Sequence, residues 1–496
     1  MSENLTGLVK IIGISILLVL LWAFLAYQVP ENFLKPNNIE NLLRRTALFG
    51  ILGIGVSFVI ISSGIDLSIG SLVCFTACLL ALFLSVSYDP FVSTDVLEIK
   101  AENKTLIVNR DANFNPGQKV RYYGGRRARN AMLTITAIQP IEYEGRQVSK
   151  LLVDQALTRD DKADTSNRSV GKIAAMYPIS DVSGDQLEVP FLQLQPRDRV
   201  WFVHPERGLK EKTVSTVKPA KTSGMSRVTF TESLDGIDTT FIAIPLQRKQ
   251  RMSVPLAILS VLLIALGLGM VHGVLITKLK QQPFVVTLCG LLIYRGLSRW
   301  LSNDQTLGFG NEFEGSLGLL ATGRLVLWES GSSSFGIPYS FFFLMLLTVA
   351  AIIFLNFTIW GRYILALGRN EEAARYSGVN TGRMTILAYV LCAVLTGIGG
   401  ILFALDANSI APSSFGNFFE LYAIAAAVLG GCSLRGGEGS IIGVVVGTAL
   451  MQTLYNSIVL LKIPDELEYA IIGAVILIGV TSDEVIRMLA SRFKRD

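Results

Sequence analysis

Residues 361–384, GRYILALGRNEEAARYSGVNTGRM, form a polar segment between two long apolar runs, residues 340–360 and 385–403. Four arginines stand near the ends of those runs: Arg362, Arg369, Arg375 and Arg383. Arginine and lysine beside membrane spans are enriched on the cytoplasmic side, so the segment is predicted to be a cytoplasmic loop. The chain is therefore predicted to be a membrane protein, and this loop is the candidate functional segment.

A short surface helix is predicted within the loop, over residues 371–378, EEAARYSG. Two acidic residues lead a run of good helix formers, which suits the positive end of the helix dipole. Asn370 is available as the N-cap, and Gly378 as the residue that ends the helix. A short helix held between two membrane spans is suited to carry force.

The loop resembles the cytoplasmic coupling loop in permease subunits of bacterial ATP-driven (ABC) importers, in the ribose and simple-sugar branch. Further motifs match that branch in the same order: GIDLSIGS at 64–71, KLKQQPFVVTL at 278–288, and IAAAVLGGCS with GGEG at 424–433 and 436–439. The resemblance covers the chain except a polar block near residues 89–251. It implies a transport permease without catalytic residues, cofactor or metal.

The resemblance also implies site residues and partners. The residues expected to couple to an ATPase are Arg369, Asn370, Glu371, Glu372, Ala373, Arg375 and Gly378. Those expected on the substrate pathway are Asp66, Ser68, Phe284, Thr287 and Asn456. The implied partners are a cytoplasmic ATP-binding subunit, an extracytoplasmic sugar-binding protein, a second permease copy in a homodimer, and the lipid of the bacterial inner membrane.

Composition agrees with a polytopic membrane protein. The mean hydropathy is +0.48, and the apolar residues cluster into runs that can cross about 30 Å of hydrocarbon as helices. The net charge of +5 comes with acidic and basic residues interspersed, which disfavours a nucleic-acid partner. The five cysteines lie in or beside apolar runs and are predicted to be small buried hydrophobes.

About ten spans are predicted in a mainly α-helical bundle whose N-terminus is cytoplasmic. They cover residues 8–27, 46–63, 67–87, 254–276, 285–301, 339–360, 385–403, 421–429, 441–455 and 470–480. Residues 1–88 form the first membrane part, with three spans, and residues 252–496 the second, with about seven. Arg44 and Arg45 fall on the outer side in this topology, against the positive-inside rule.

The block at residues 89–251 is predicted to be an inserted, extracytoplasmic, all-β domain, because charged residues are frequent and apolar residues alternate. A weak internal duplication relates residues 115–120 to 195–200. It predicts two related lobes of about eighty residues each. A single irregular β domain remains the alternative.

The sequence allows two interpretations for each of three polar or glycine-rich features. Either Asp66 or Ser68 caps the third helix at a cytoplasmic turn, or Asp66 lies on the substrate or gating pathway. His272 either bonds a neighbouring helix or binds a ligand. The glycines at 430–439 lack the Lys-Ser/Thr of a phosphate loop, so a tight turn and close helix packing are favoured over a ligand role.

The leading function is a permease that imports a ribose-like or other simple sugar. An ion-coupled secondary transporter is an alternative, but it would need charged residues deep inside spans. An ABC permease for a non-sugar small solute is another. A membrane enzyme is disfavoured, because the sequence contains no recognisable nucleophile–base pair or paired catalytic carboxylates.

Overall fold

The computed structural model describes residues 2–475 except 111–112, 124–130, 156–160, 163–168, 190–193, 205–207, 221–224 and 331–332, together with 477 and 481. The chain divides into two compact units. Residues 1–85 and 252–496 form the helical unit, and residues 86–251 form the β unit. The two units are described separately below.

The described part of the helical unit is built from α-helices, one β-hairpin and short turns. The helices are α1 (Ser2–Gln28), α2 (Pro30–Phe33), α3 (Pro36–Ile61), α4 (Ile69–Phe83), α5 (Val254–Thr277), α6 (Pro283–Leu301), α7 (Leu319–Thr322), α8 (Tyr339–Ile352), α9 (Ile359–Arg369), α10 (Glu371–Tyr376), α11 (Thr381–Ala407), α12 (Phe419–Leu429) and α13 (Ile441–Leu460). A π-helical turn, Ile353–Phe357, extends α8, and a 3₁₀ turn, Asp465–Leu467, follows α13.

Seven of these helices are long and apolar enough to cross a membrane. They are α1, α3, α5, α6, α8 with its π turn, α11 and α13. Two shorter apolar helices, α4 and α12, coincide with predicted spans. The last predicted span, 470–480, lies only partly within the described residues, and the basic tail at 487–495 lies outside them. A polytopic helical membrane protein is therefore confirmed, while the count of ten spans stays a prediction.

Helix α3 is the centre of the bundle. Every residue from 46 to 61 is buried, and the helix packs against α11, α13, α12 and α8. Its apolar character extends around the whole circumference, as expected for a helix enclosed by other helices. Gly55 lies against the backbone of Cys392 on α11, where an added Cβ would stand 3.2 Å from the carbonyl oxygen. Glycine here lets the two backbones approach closely.

The polar start of α3 contains Arg44 and Arg45, the two arginines that go against the positive-inside rule in the predicted topology. Arg44 lies 3.6 Å from a carboxylate oxygen of Asp406, and its guanidinium is 3.5 Å from the Thr322 carbonyl oxygen. The Arg45 guanidinium lies over the ring of Tyr455 at 5.2 Å. Both guanidinium groups thus interact with other parts of the helical unit, and these interactions offset the free-energy cost of placing a charge beside a membrane span.

The segment 302–338, which connects two predicted spans, contains regular secondary structure. It contains α7 and a hairpin of β16 (Arg324–Ser330) and β17 (Ser333–Pro338). Glu40, only 4% exposed, accepts two hydrogen bonds from Arg324 and one from the Gly336 amide. This buried carboxylate on α3 ties down both strands, a long-range contact that composition does not reveal.

The described β unit contains strands and turns only. The strands are β1 (Val86–Pro90), β2 (Ser93–Lys100), β3 (Thr105–Asn109), β4 (Lys119–Tyr123), β5 (Ala131–Tyr143), β6 (Arg146–Val153), β7 (Asp161–Lys162), β8 (Gly171–Ala175), β9 (Tyr177–Pro178), β10 (Ser180–Ser183), β11 (Gln186–Val189), β12 (Arg199–His204), β13 (Gly208–Pro219), β14 (Ser226–Phe230) and β15 (Ile242–Gln250).

The strands of the β unit form two antiparallel sheets. The first has the order β3-β6-β5-β4-β8-β2 and closes on itself because β2 also pairs β3. The second has the order β1-β15-β12-β13-β14-β11-β10. Each sheet surrounds its own apolar core, one around Tyr122 and one around Phe202, as alternating strands require.

Each sheet contains a turn of the same kind, and the hydrogen bonds of the two turns match. Gly117 (φ +83°) donates its amide to the Ile135 carbonyl, and the Gln118 side chain accepts the Asn115 amide. Eighty residues later, Arg197 (φ +76°) donates to Val214, and Asp198 accepts the Gln195 amide. A bulge follows at the same place in β5 and β13. These features support the proposal that the lobes are related.

Candidate functional site

The short helix α10 forms as predicted. Its N-cap Asn370 accepts the Ala373 amide through the side-chain oxygen at 2.9 Å, which satisfies one of the free amides of the first turn. Gly378 follows the helix with φ +84°, a conformation that favours glycine. Ala374 is buried. Ala374 is not among the predicted coupling residues, and all seven of those are exposed: Arg369, Asn370, Glu371, Glu372, Ala373, Arg375 and Gly378.

Most of the remainder of residues 361–384 is helical, in α9 and the start of α11, which corrects the prediction of a loop. The helix ends after the π turn at Thr358, and α9 begins at the next residue. In α9, Ile364 and Leu367 are buried, while Arg362 and Tyr363 are exposed. Amphipathic spacing explains why this stretch did not resemble a span.

Side-chain caps begin all three helices of this segment. Besides Asn370, Thr358 accepts the Gly361 amide in α9 and Asn380 accepts the Arg383 amide in α11. Threonine and asparagine directly before helical periodicity are signals that a sequence reading can use. These two were missed.

A further residue missed by sequence reasoning is Tyr376, the last residue of α10. Its side chain is 83% exposed, and the Arg375 guanidinium lies 5.7 Å from its ring. An aromatic ring presented this far into solvent at the end of a helix is typical of a contact residue. Helix α10 therefore offers a charged surface with one aromatic side chain at its end.

The base of this segment joins two other parts of the helical unit. We name this contact the glycine junction and define it by residues 61–63, 368–369 and 435–437. The Gly437 amide donates to the Ile61 carbonyl at 2.8 Å, and the Arg369 Nε lies 3.4 Å from the Gly437 carbonyl oxygen. The Ser63 Oγ lies 3.0 Å from the carbonyl oxygens of both Gly368 and Arg435.

Only glycine fits at the centre of this junction. A Cβ on Gly368 would overlap the Ile61 carbonyl oxygen, and a Cβ on Gly436 would overlap the Ser63 hydroxyl. Gly436 and Gly437 also adopt φ of +84° and +74°. The predicted role of these glycines, a tight turn with close packing, is confirmed by this geometry.

Asp66 lies between α3 and α4 and is 2% exposed. One of its carboxylate oxygens accepts both the amide and the hydroxyl of Ser68, at 2.9 and 2.6 Å. Ser68 is the N-cap position of α4, so Asp66 closes a turn that precedes the helix instead of capping its first amides.

Polar side chains from α5, α6 and α11 surround this turn. The His272 Nε2 lies 2.8 Å from the Tyr294 hydroxyl, which confirms the expectation that His272 bonds a neighbouring helix. The Tyr389 hydroxyl donates to the Ile65 carbonyl at 3.0 Å. The segment before α4 is thus bonded to α11 through Tyr389, while His272 and Tyr294 satisfy each other, as burial of polar groups requires.

The two arginines of α6 differ. Arg295 faces the interior, where it donates to the carbonyls of Pro412 and Phe415 at 3.1 and 2.6 Å. Arg299 pairs with Asp304 at 2.7 Å outside the helix, and this hydrogen bond holds the pKa of the Asp304 carboxylate below its usual range. Only Arg295 therefore belongs to the buried polar region, where it orders the chain before α12.

The five predicted pathway residues do not converge. Asp66 and Ser68 share one turn, and Ser68 lies beside Gly290 on α6. Thr287 is buried and bonds the Pro283 carbonyl of its own helix, whereas Phe284 is 52% exposed. Asn456 exchanges two hydrogen bonds with Asn38 in the first turn of α3. Asp66 follows the last turn of that helix, so Asn456 and Asp66 lie near its opposite ends.

Cysteines and metal ligands add no further site. Four cysteines are buried as predicted, but Cys289 is exposed on α6, so the prediction was wrong there. Among the described residues, no group of three or more His, Cys, Asp or Glu side chains is arranged to hold a metal ion.

Comparison with known proteins identifies the family. Residues 239–480 match the family described as "Branched-chain amino acid transport system / permease component". The ribose import permease protein RbsC of Escherichia coli K12 is 33% identical over 46% of this chain and 68% of its own length. The galactose/methyl galactoside import permease protein MglC of the same strain is 29% identical over 52% of this chain and 73% of its own length.

The xylose transport system permease protein XylH of Escherichia coli K12 is 30% identical over 46% of this chain and 70% of its own length. No solved structure matches the chain. The resemblance inferred from four ordered motifs is confirmed by these matches. The chain belongs to this family of transport permease components, as a membrane subunit of an ABC importer in the branch that contains sugar permeases, with ATP hydrolysis assigned to a partner subunit.

Proposed function

We propose that the chain forms the membrane pathway for import of a ribose-like or other simple sugar, driven by a cytoplasmic ATPase subunit that docks on α10. The observation that carries the docking assignment is the capped, exposed helix between α9 and α11, with its residues held by Asn370 at one end and Gly378 at the other. Relatives named for ribose, galactose and xylose transport support the substrate class.

Within this proposal, the ATPase subunit contacts Glu371, Glu372, Ala373 and Arg375, and Tyr376 is the aromatic anchor of the contact. An exposed tyrosine buries a large apolar ring while its hydroxyl stays available for a polar partner. The charged residues around it set orientation and association rate more than affinity. Arg369 and Asn370 connect this surface to the glycine junction.

The remaining partners and the topology follow the same proposal. An extracytoplasmic sugar-binding protein delivers the solute, two permease copies form a homodimer, and the chain spans the bacterial inner membrane about ten times. Residues 89–251 form the extracytoplasmic β insert between two membrane parts, 1–88 and 252–496. We retain Asp66, Ser68, Phe284 and Thr287 as residues of the substrate pathway. We also retain Asn456, which contributes to the pathway at the opposite end of α3.

The coupling assignment is tested by Gly378→Val in the complex reconstituted with its ATPase subunit and binding protein. The φ of +84° opposes a β-branched side chain by about 1–2 kcal/mol, so the end of α10 should deform and sugar uptake should fall at least tenfold. Gly310→Val is the matched control, since Gly310 also has positive φ (+55°) and open space around it. Equal uptake by both variants at normal assembly would remove the assignment.

Substrate class is tested by uptake of labelled ribose, xylose, galactose and leucine into the same vesicles. Saturable ATP-dependent uptake of a sugar supports the proposal. Uptake of leucine alone would instead favour a permease for a non-sugar solute, the alternative suggested by the family description. Uptake that persists without the ATPase subunit and follows an ion gradient would favour a secondary transporter.

Topology is tested with single cysteines in a background that lacks the five native ones. Ser377, just after α10, and Ser233, in an exposed turn of the β unit, are both accessible. An impermeant thiol reagent added outside should label the cysteine at position 233 and leave the one at 377 unmodified. Labelling at both positions would reject the predicted orientation.

A further inference from the structure

The glycine junction contains a serine in an unusual conformation. Ser63 follows α3 with φ +63°, a left-handed conformation that is strained for a residue with a Cβ. Glycine at this position would avoid that strain. Serine instead places its hydroxyl 3.0 Å from the carbonyl oxygens of Gly368 and Arg435. The backbone strain at Ser63 and the two contacts of its hydroxyl together indicate a functional role for this hydroxyl.

The two carbonyls belong to segments that have no covalent link near α3. Gly368 lies in the last turn of α9, two residues before the cap of α10, and its carbonyl has no further helical turn to bond. Arg435 precedes the glycine turn whose Gly437 amide bonds the end of α3. Ser63 is therefore the side chain at which the base of α10, the end of α3 and the glycine turn meet.

The chain after Ser63 leads directly to the buried polar turn. Gly64 lies against Tyr389, where an added Cβ would be 2.7 Å from the hydroxyl oxygen, and the same hydroxyl bonds Ile65. Asp66 follows and sets the start of α4 through Ser68. Only two residues, Gly64 and Ile65, thus separate Ser63, whose hydroxyl contacts α9, from Asp66, whose carboxylate orders α4.

We propose that Ser63 is a positioning residue for coupled transport, and that its hydroxyl transmits displacement of α10 to the Asp66 turn and so to α4. Helix α3 cannot carry this movement by deforming, because residues 46–61 are buried in contact with four other helices. Residues 64–68 lie between helices and have no regular secondary structure, so they can shift when Gly368 moves. This inference rests on the proposed docking of an ATPase subunit at α10.

The experiment compares Ser63→Gly with wild type in the full reconstituted complex. The substitution removes the hydroxyl and relieves the left-handed strain, so it should not destabilise the fold. Ser62→Ala is the matched control, because the neighbouring Ser62 hydroxyl bonds only within its own helix, to Val59 at 2.8 Å, among the contacts described. Binding of the ATPase subunit, ATP hydrolysis and sugar uptake are measured on each variant.

We expect Ser63→Gly to bind the ATPase subunit within twofold of wild type, while sugar transported per ATP hydrolysed falls about five- to tenfold, the range for one lost hydrogen bond. Hydrogen exchange at residues 64–68 should respond to nucleotide in wild type and Ser62→Ala but not in Ser63→Gly. That local response is one that a merely structural serine would not control.

Three results would overturn the proposal. A transport-to-hydrolysis ratio within twofold of wild type in Ser63→Gly would show that the hydroxyl transmits nothing. An equal loss in Ser62→Ala would show a general disturbance of this helix end. Loss of ATPase binding in Ser63→Gly would make the junction part of the docking surface. By contrast, wild type that neither binds the ATPase nor transports a sugar would reject the proposed function itself.

Discussion

The helical unit and the β unit place their polar hydrogen bonds at very different sequence separations. In the helical unit, Glu40 bonds Arg324 across 284 residues and Ser63 reaches Gly368 across 305. In the β unit, the two matched turns are closed by side chains three residues away, Gln118 and Asp198. The named contacts of the helical unit need the whole bundle, whereas the bonds that close each matched turn lie within one hairpin.

Solvent explains this difference. Helices in hydrocarbon satisfy their backbone groups internally, so a buried polar side chain finds its partner on another helix. Turns in water are stabilised by side chains that bond nearby amides. Substitutions should therefore be costly at the long-range contacts of the helical unit, modest at the turns of the β unit, and negligible in the helical unit when the β unit is removed.

The largest effect is expected for Arg324→Met. It leaves the buried Glu40 carboxylate without its cation, and the loss should destabilise the helical unit by about 3 kcal/mol. Thermal unfolding in detergent should then begin several degrees lower. Arg299→Met, which breaks the solvent-exposed pair with Asp304, is the control and should leave the midpoint unchanged. Equal midpoints for both variants would erase the contrast between the units.

The second effect sharpens the comparison inside the β unit, because the two matched turns should respond with opposite sign. Gly117→Ala puts a side chain at φ +83° and should destabilise its turn by about 1 kcal/mol. Arg197→Gly relieves the same geometry at φ +76° and should stabilise the other turn by about 0.5 kcal/mol. Hydrogen exchange in residues 113–123 and 194–204 measures each turn separately. Changes of the same sign would mean that the turns are not equivalent.

A smaller, pH-dependent effect is expected for Asp154→Asn. The hydrogen bond from the Thr134 amide holds the pKa of the Asp154 carboxylate below its usual range. A lowered native pKa gives stability that is present above about pH 4 and is lost as the pH falls through the native value. The exposed site limits the effect to less than about 1 kcal/mol.

Exchange in residues 131–155 should therefore be faster in Asp154→Asn than in wild type at pH 7, after correction for intrinsic rates, and the difference should shrink as the pH falls below about 4. Asp185→Asn, an exposed carboxylate in another turn, is the control. A difference that does not change with pH would point to a cause other than the charge.

The smallest effect, none on the helical unit, is expected when the β unit is removed. Val86 and Gln250 are paired partners in β1 and β15, so a short Gly/Ser linker can replace residues 87–249 without moving the flanking ends. Membrane insertion and ATPase binding should stay as in wild type, while delivery by the binding protein weakens. Loss of insertion would show that the β unit is integral to the bundle.

Local signals were read correctly where the interaction itself is local. Asn370 and Gly378 bound α10 because a cap and a left-handed terminus depend on residues within one turn. The motif matches likewise identified the family before any contact was known. The continuous helicity of α9 was missed, since its buried face depends on neighbours that periodicity alone does not name. The hairpin at 324–338 was missed for the same reason, because Glu40 anchors it.

By itself, the sequence determined the membrane class, the positions of the long apolar helices, the β character of the insert and the helix α10. These follow from hydropathy, alternation and caps, which act over a few residues. Only the tertiary structure decided that Ser63 meets Gly368, that Asp66 orders α4 through Ser68, and that Asn456 lies at the far end of α3 from Asp66. Those contacts join residues far apart in the chain, so packing of the whole helical unit selects them.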